Sequence, residues 1–156
     1  MIDNVLLAEV RERAEETEAA RRLPADLAQK MASAGHFALM TPAYLGGRET
    51  NAVEAFHEIE AFAQADAAAG WCVMISATST LALAYLSKDA AKKIANRPDM
   101  IMCGVYAPMG RAVREGDTYT VSGTWPWGSN SPNSQWMMGG CAVVENGDIV
   151  RLPNGG

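Results

Sequence analysis

Between Gly123 and Trp136 the chain reads Gly-Thr-Trp-Pro-Trp-Gly-Ser-Asn-Ser-Pro-Asn-Ser-Gln-Trp, and three of its four tryptophans fall there beside hydroxyls, amides and turn formers. An indole next to Ser, Asn and backbone N–H groups makes a flat apolar wall with a few oriented donors. That is the surface a planar heteroaromatic ligand such as a flavin requires. The same residues also suit a structural role, because tryptophan is common in the cores of small β domains, where the indole buries a large area and finds one partner for its N–H. Composition leaves both readings open.

The rest of the chain bounds what this stretch can serve. With 156 residues, 49% hydrophobic and 20% charged, it has the composition of an ordinary globular protein. A formal charge of −5 and the lack of a Lys/Arg cluster argue against a nucleic-acid or anionic membrane surface and favour small-molecule partners. No run of 18 or more apolar residues occurs, and Met-Ile-Asp-Asn opens on an acid. Neither a membrane span nor a signal peptide is therefore expected, and the expected location is the cytoplasm. Cys72, Cys103 and Cys141 are odd in number and far apart, with only two histidines in the chain, which gives no support to a disulfide framework or a metal site. Three buried thiols are expected.

The elements that must position the tryptophan-rich stretch follow from local signals. Residues 2 to about 22 alternate acids and bases around a thin stripe of Val5, Leu6, Val10 and Ala14, which predicts one solvent-facing helix. Pro24 suits the first turn of a second helix that stops at Gly35, and Pro42, Gly46 and Gly47 then turn the chain. Thr50 or Asn51 caps a third helix with Val53, Phe56, Ile59, Glu60 and Ala63 on one face, and Asp66 ends it or caps the next. Residues 67–86 carry no charge, as in a helix central to its bundle or lying against another subunit. Ser87 opens a short helix that Pro98 closes. His57 is read as a surface residue and His36 as lying by a helix end; neither is given a role.

Past Pro98 the pattern changes. Ten of the fourteen glycines lie from Gly104 onward, but only three of the thirteen basic residues do. Strands are predicted at 101–106, 118–122, 136–144 and 148–152, with hairpin turns at Glu115-Gly-Asp117 and Glu145-Asn-Gly-Asp148. The expected organisation is a helical domain over 1–98 and a β domain over 99–156. The latter is short for a sheet domain that must stand alone.

A family resemblance runs through both parts. The succession Leu23-Pro24, Met31, Ala34-Gly35, Pro42 and Gly46-Gly47-x-Glu49 is similar to the entry of the acyl-CoA dehydrogenase N-terminal domain. Gly123-x-x-x-Trp-Gly-Ser-Asn130 resembles that family's Gly-x-Lys-x-Trp-Ile-Thr-Asn-Gly strand and turn, and more closely the Gly-Arg-Trp-x-Phe-x-Ser-Gly form of flavin-dependent two-component monooxygenases built on the same fold. The resemblance implies an α+β fold: an all-α N-terminal domain followed by the truncated beginning of an antiparallel β-barrel domain. It also implies FAD or FMN as cofactor. Ser129 matches the hydroxyl that contacts the reactive nitrogen of the flavin ring, and Trp127 the aromatic lying along the ring. Cys103, Val105 and Tyr106 match the strand lining its pyrimidine side.

No catalytic residue is assigned, because the resemblance places the family's catalytic glutamate, and the distal histidine of the monooxygenase branch, beyond Gly156. The chain is thus read as an N-terminal fragment, inactive by itself, of a homo-oligomeric flavin-dependent oxidoreductase. The main reading is an acyl-CoA dehydrogenase that passes electrons to an acceptor. The first alternative is an oxygenase component that takes reduced flavin from a reductase and hydroxylates an aromatic substrate. Pro108-Met-Gly-Arg-Ala112 resembles the loop of that second branch, with Ala107 where the dehydrogenases carry Glu and Arg111-Ala112 in place of their Gly-Ser-Asp. Arg111 is read as an exposed hairpin residue, with a phosphate contact as the other possibility. A further alternative is a non-catalytic remnant that self-associates through its hydrophobic face from Trp71 to Leu86.

Overall fold

The computed structural model describes residues 3–151, in which six α-helices precede a four-stranded sheet. Short polar side chains start most of the helices by accepting from backbone N–H groups that have no partner within the helix. Asp3 Oδ1 accepts from Val5 N and Leu6 N ahead of α1 (Asn4–Glu12). The single first helix expected from the charge pattern is divided at Arg13, which leaves helical geometry (φ −99, ψ 12), and α2 (Ala14–Ala20) follows. The Arg13 guanidinium binds Glu9, Glu16 and Asp26 around the break. Helix α3 (Ala25–Ser33) begins after Pro24, and Gly35 beyond it has φ +82, a left-handed value that favours glycine.

Asn51 caps α4 (Ala52–Ala65), and Asp66 both ends it and caps α5 (Ala67–Thr80), its Oδ1 accepting from Ala69 N at 2.8 Å. A 3-10 turn at Leu81–Tyr85 prolongs α5, and Ser87 caps α6 (Lys88–Ile94). By length and composition alone, Ala67–Tyr85 is apolar enough to cross a bilayer, yet half of it is buried inside the protein.

Helix α4 departs from its sequence reading. Its buried residues are Ala55, Glu58, Phe62 and Ala65, whereas Val53 and Phe56, read as part of its one apolar-spaced face, are exposed. The rotation follows a buried carboxylate. Glu58 Oε1 lies 2.6 Å from His36 Nδ1 and 2.6 Å from Arg48 Nη1, and the His36 ring packs edge-on against Phe62. An ionised carboxylate can only accept, so His36 Nδ1 carries the proton of that hydrogen bond. Burial alone would raise the Glu58 carboxyl, but the bonds from His36 and Arg48 outweigh it and hold it below its ordinary value of 4.5. Around this group Leu6, Val10, Leu23, Leu27, Met31, Phe37, Phe62 and Val73 form the helical core.

The described residues cluster into two compact units, the helices through Cys103 together with Ser129–Met137, and Gly104–Gly128 together with the residues from Met138 on. Strands β1 (Met102–Glu115), β2 (Thr118–Gly123), β3 (Trp136–Glu145) and β4 (Asp148–Ile149) lie in the order β2-β1-β3-β4. β1 and β2 pair antiparallel from Gly110↔Gly123 to Glu115↔Thr118, and β3 and β4 form a second antiparallel hairpin. Both turns fall where expected, with left-handed residues at Gly116 and at Asn146-Gly147. Two details differ from the sequence reading. β1 does not give way to a loop at Pro108 but runs on through it to Glu115, and Arg111 is an exposed strand residue opposite Ser122. Pro108 lacks an N–H and sits in the part of β1 that β2 does not pair, where no donor is demanded of it on that side. The predicted end of the fourth strand at Leu152 lies outside the described residues.

Within the sheet unit, Trp125 occupies a slot made of glycines. A Cβ added at Gly110, Gly123 or Gly139 would stand 2.3, 3.0 or 2.6 Å from its ring atoms, and its Nε1 donates to Gly140 O at 2.7 Å.

Glu58→Gln should lower the unfolding free energy at neutral pH by about 3 kcal/mol, the scale of breaking a buried ion pair. A depressed carboxylate binds fewer protons folded than unfolded, so its contribution is complete above pH 4.5 and is lost as the pH falls through the lower folded value. The gap between wild type and variant in denaturant titrations should therefore close on acidification. Gly139→Ala should cost about 2 kcal/mol by overpacking against Trp125, and Trp125→Phe on that background should recover part of the loss in thermal unfolding.

Candidate functional site

The bend after β2 is built by local turn chemistry and then fastened at a distance. Trp127 and Asn130 both take left-handed backbone values, φ 64 in each case, and a 3-10 turn at Ser131–Asn133 completes the reversal. Asparagine tolerates that geometry well. Beyond it, Asn133 Nδ2 donates to Leu23 O at 3.1 Å, Gln135 N donates to Ile101 O at 3.0 Å, and Ile101 N donates to Gln135 Oε1 at 2.8 Å. Segment Ser129–Met137 is thereby held on the helical unit.

At the start of that segment the Ser129 hydroxyl meets the fourth tryptophan, which the motif does not contain. Trp71 Nε1, on α5, donates to Ser129 Oγ at 2.9 Å. Ser129 is half-buried and Trp71 is 54% exposed, so the pair is open to solvent rather than sunk in the core. Accepting from the indole uses one lone pair of the oxygen and leaves its O–H as a donor. Sequence reasoning singled out Ser129 but took Trp71 only as part of an apolar face. The available signal was the indole N–H, a donor with no accepting side chain close by in a helix free of charge.

The other proposed contact residues fall on β1 and the bend. The Cys103 side chain is fully buried, so only its backbone can serve a ligand; Val105 is half-buried and Tyr106 is exposed. Partial burial pushes the Tyr106 phenol above its ordinary value of 10.0. Trp127, expected to lie along a ring, is 91% exposed, and the indole seated in the sheet unit is that of Trp125.

A hydroxyl fixed as acceptor toward an indole, with its own proton available and a flat aromatic edge beside it, fits a planar ring whose edge carries hydrogen-bonding nitrogen and oxygen atoms. On the chemistry of this donor set, a flavin ring fits.

A family profile described as acyl-CoA dehydrogenase, N-terminal domain, matches residues 1–97. The chain is 32% identical over 148 residues to the flavin-dependent monooxygenase, oxygenase subunit HsaA, of Rhodococcus jostii strain RHA1, covering 94% of this chain and 39% of that protein. It is 30% identical over 135 residues to the FADH(2)-dependent resorcinol hydroxylase, oxygenase component, of Rhizobium sp. strain MTP-10005, covering 86% of this chain and 32% of that protein. The crystal structure of 3-HSA hydroxylase from Rhodococcus sp. RHA1 superposes with a TM-score of 0.89 at 32% identity, over 95% of this chain and 39% of that one. The chain thus spans about two fifths of the length of the first of these relatives.

The thiols correct one expectation. Cys72 and Cys103 are buried, but Cys141, on β3, is only partly so. Burial, with a smaller contribution from Asp66, pushes the Cys72 thiol up to about 12. A neutral thiol reagent should accordingly modify Cys141 in the native chain and reach Cys72 and Cys103 only after denaturation, as counted by mass spectrometry.

Proposed function

We propose a function from one premise, that this chain belongs to the acyl-CoA dehydrogenase family: it forms the hydroxyl-bearing side of a flavin site in an oxygenase component, which takes reduced flavin from a separate reductase and hydroxylates an aromatic ring. The observation that carries the proposal is the solvent-open Ser129 hydroxyl held by Trp71. Support comes from relatives named as oxygenase components that use flavin. Ala107 and Arg111-Ala112 also stand where the dehydrogenase pattern carries Glu and Gly-Ser-Asp.

The flavin, when bound, supplies the oxygen-activating chemistry. The residues of this chain would hold and orient it: Ser129, kept in place by Trp71 within the helical unit, would offer its proton to the redox-active edge of the ring. Donors fixed in advance stabilise charge that develops on a bound ring without reorganising during the reaction. An aromatic substrate and a reductase complete the assignment, with FAD or FMN as the flavin.

Oxidation of an acyl-CoA would use the same ring contacts, so the test separates the two chemistries. The purified chain should take up reduced flavin. The protein carrying the chain should consume oxygen and hydroxylate a phenol only when reduced flavin is supplied. Anaerobic bleaching of bound flavin by an acyl-CoA would place the protein with the dehydrogenases instead. A chain that self-associates and takes up no flavin would support the non-catalytic reading.

A further inference from the structure

We infer that Trp71 is a positioning residue for the flavin-facing hydroxyl: its indole N–H fixes Ser129 as a hydrogen-bond donor toward the ring. The inference rests on the flavin site proposed above and adds a residue from the helical unit that the motif does not include.

The argument begins with how firmly each end of the contact is held. Trp71 directly follows Gly70, where an added Cβ would stand 2.6 Å from the Ala63 backbone, so α4 and α5 touch main chain to main chain one residue before the indole. Asp66 caps the same turn of α5. At the other end, Ser129 precedes left-handed Asn130 and the pairings of Asn133 with Leu23 and of Gln135 with Ile101. The 2.9 Å bond therefore joins two fixed backbones 58 residues apart in the chain, and neither side chain must order the other's main chain.

A serine hydroxyl that accepts nothing can rotate and serve as donor or acceptor with little preference. Indole N–H is only a donor, so Trp71 must occupy a lone pair of Ser129 Oγ. The hydroxyl proton is then directed away from the indole, and the O–H bond is polarised because hydrogen bonds in a chain strengthen one another. Such a hydroxyl suits a ring nitrogen that accepts, as in oxidised flavin, better than one that carries hydrogen, as in reduced flavin. Trp71 thus biases the site toward the oxidised ring, which makes the bound flavin a stronger reductant. Trp71 is exposed and Ser129 only half-buried, which leaves the O–H accessible to a ligand.

Trp71→Phe keeps an aromatic ring at the surface and removes only the donor. Affinities of the 156-residue chain for oxidised FAD and for dithionite-reduced FAD would be measured without oxygen for wild type, Trp71→Phe, Ser129→Ala and the double variant. The expected result is a change of about threefold to tenfold in the ratio of the two affinities toward the reduced form in Trp71→Phe, the scale of one net hydrogen bond. No further change should appear when Trp71→Phe is added to Ser129→Ala, because Trp71 acts only through that hydroxyl. An equal loss of both affinities, or the same ratio change with and without Ser129, would overturn the inference while leaving the flavin site standing. If wild type binds neither form, the flavin reading fails, and this inference with it, before any substitution is compared. A measurement free of flavin checks the contact itself: in proton–nitrogen spectra, the Trp71 indole N–H resonance should move upfield in Ser129→Ala, and an unmoved resonance overturns the proposed bond.

Discussion

A hydroxyl carried on a bend can address a ligand only if its segment is fixed, and here Ser129–Met137 is fixed by one main-chain hydrogen bond and two from side-chain amides. Ile101 and Gln135 exchange two hydrogen bonds, and Asn133 reaches the carbonyl of Leu23 at the start of α3. Both anchors belong to a well-buried framework, since Leu23 and Ile101 are each 1% exposed. Everything proposed for Ser129 depends on that attachment. A serine at the tip of a free loop would spend the entropy of ordering on each binding event.

The helical unit that receives the bend is organised around a charge as well as an apolar core. Glu58 is buried on α4, and its carboxylate is satisfied by two donors, His36 and Arg48, from the segment between α3 and α4. Removing a carboxylate from water is unfavourable unless such partners replace the solvent. The arrangement therefore ties the irregular stretch carrying His36 and Arg48 to one rotation of α4. The exposure of Val53 and Phe56 is the consequence, because a helix that turns one stripe inward must turn another out.

The sheet unit uses a different device. Here β1, β2 and β3 leave glycine at Gly110, Gly123 and Gly139 so that Trp125 can lie against the strands. A small sheet gains much of its buried apolar area from a few large aromatics. Within the tryptophan-rich stretch Trp125 is thus structural, while Ser129, four residues on, stays half-buried.

Signals carried within three or four positions of the chain were legible in the sequence. Asn51, Asp66 and Ser87 cap the helices they were expected to cap, Gly35 follows α3 in a left-handed conformation, and the hairpins turn at Gly116 and Asn146-Gly147. The order of helices then strands, and the family to which the residue pattern points, were readable for the same reason. Tertiary structure alone decided the inward face of α4, the continuity of β1 through Pro108 and the meeting of Trp71 with Ser129. Each of these rests on a partner far along the chain, 22 residues away for Glu58 and 58 for Trp71. Periodicity sees that a helix has an apolar stripe, but a buried carboxylate or an indole donor selects its position by partners that only folding brings near.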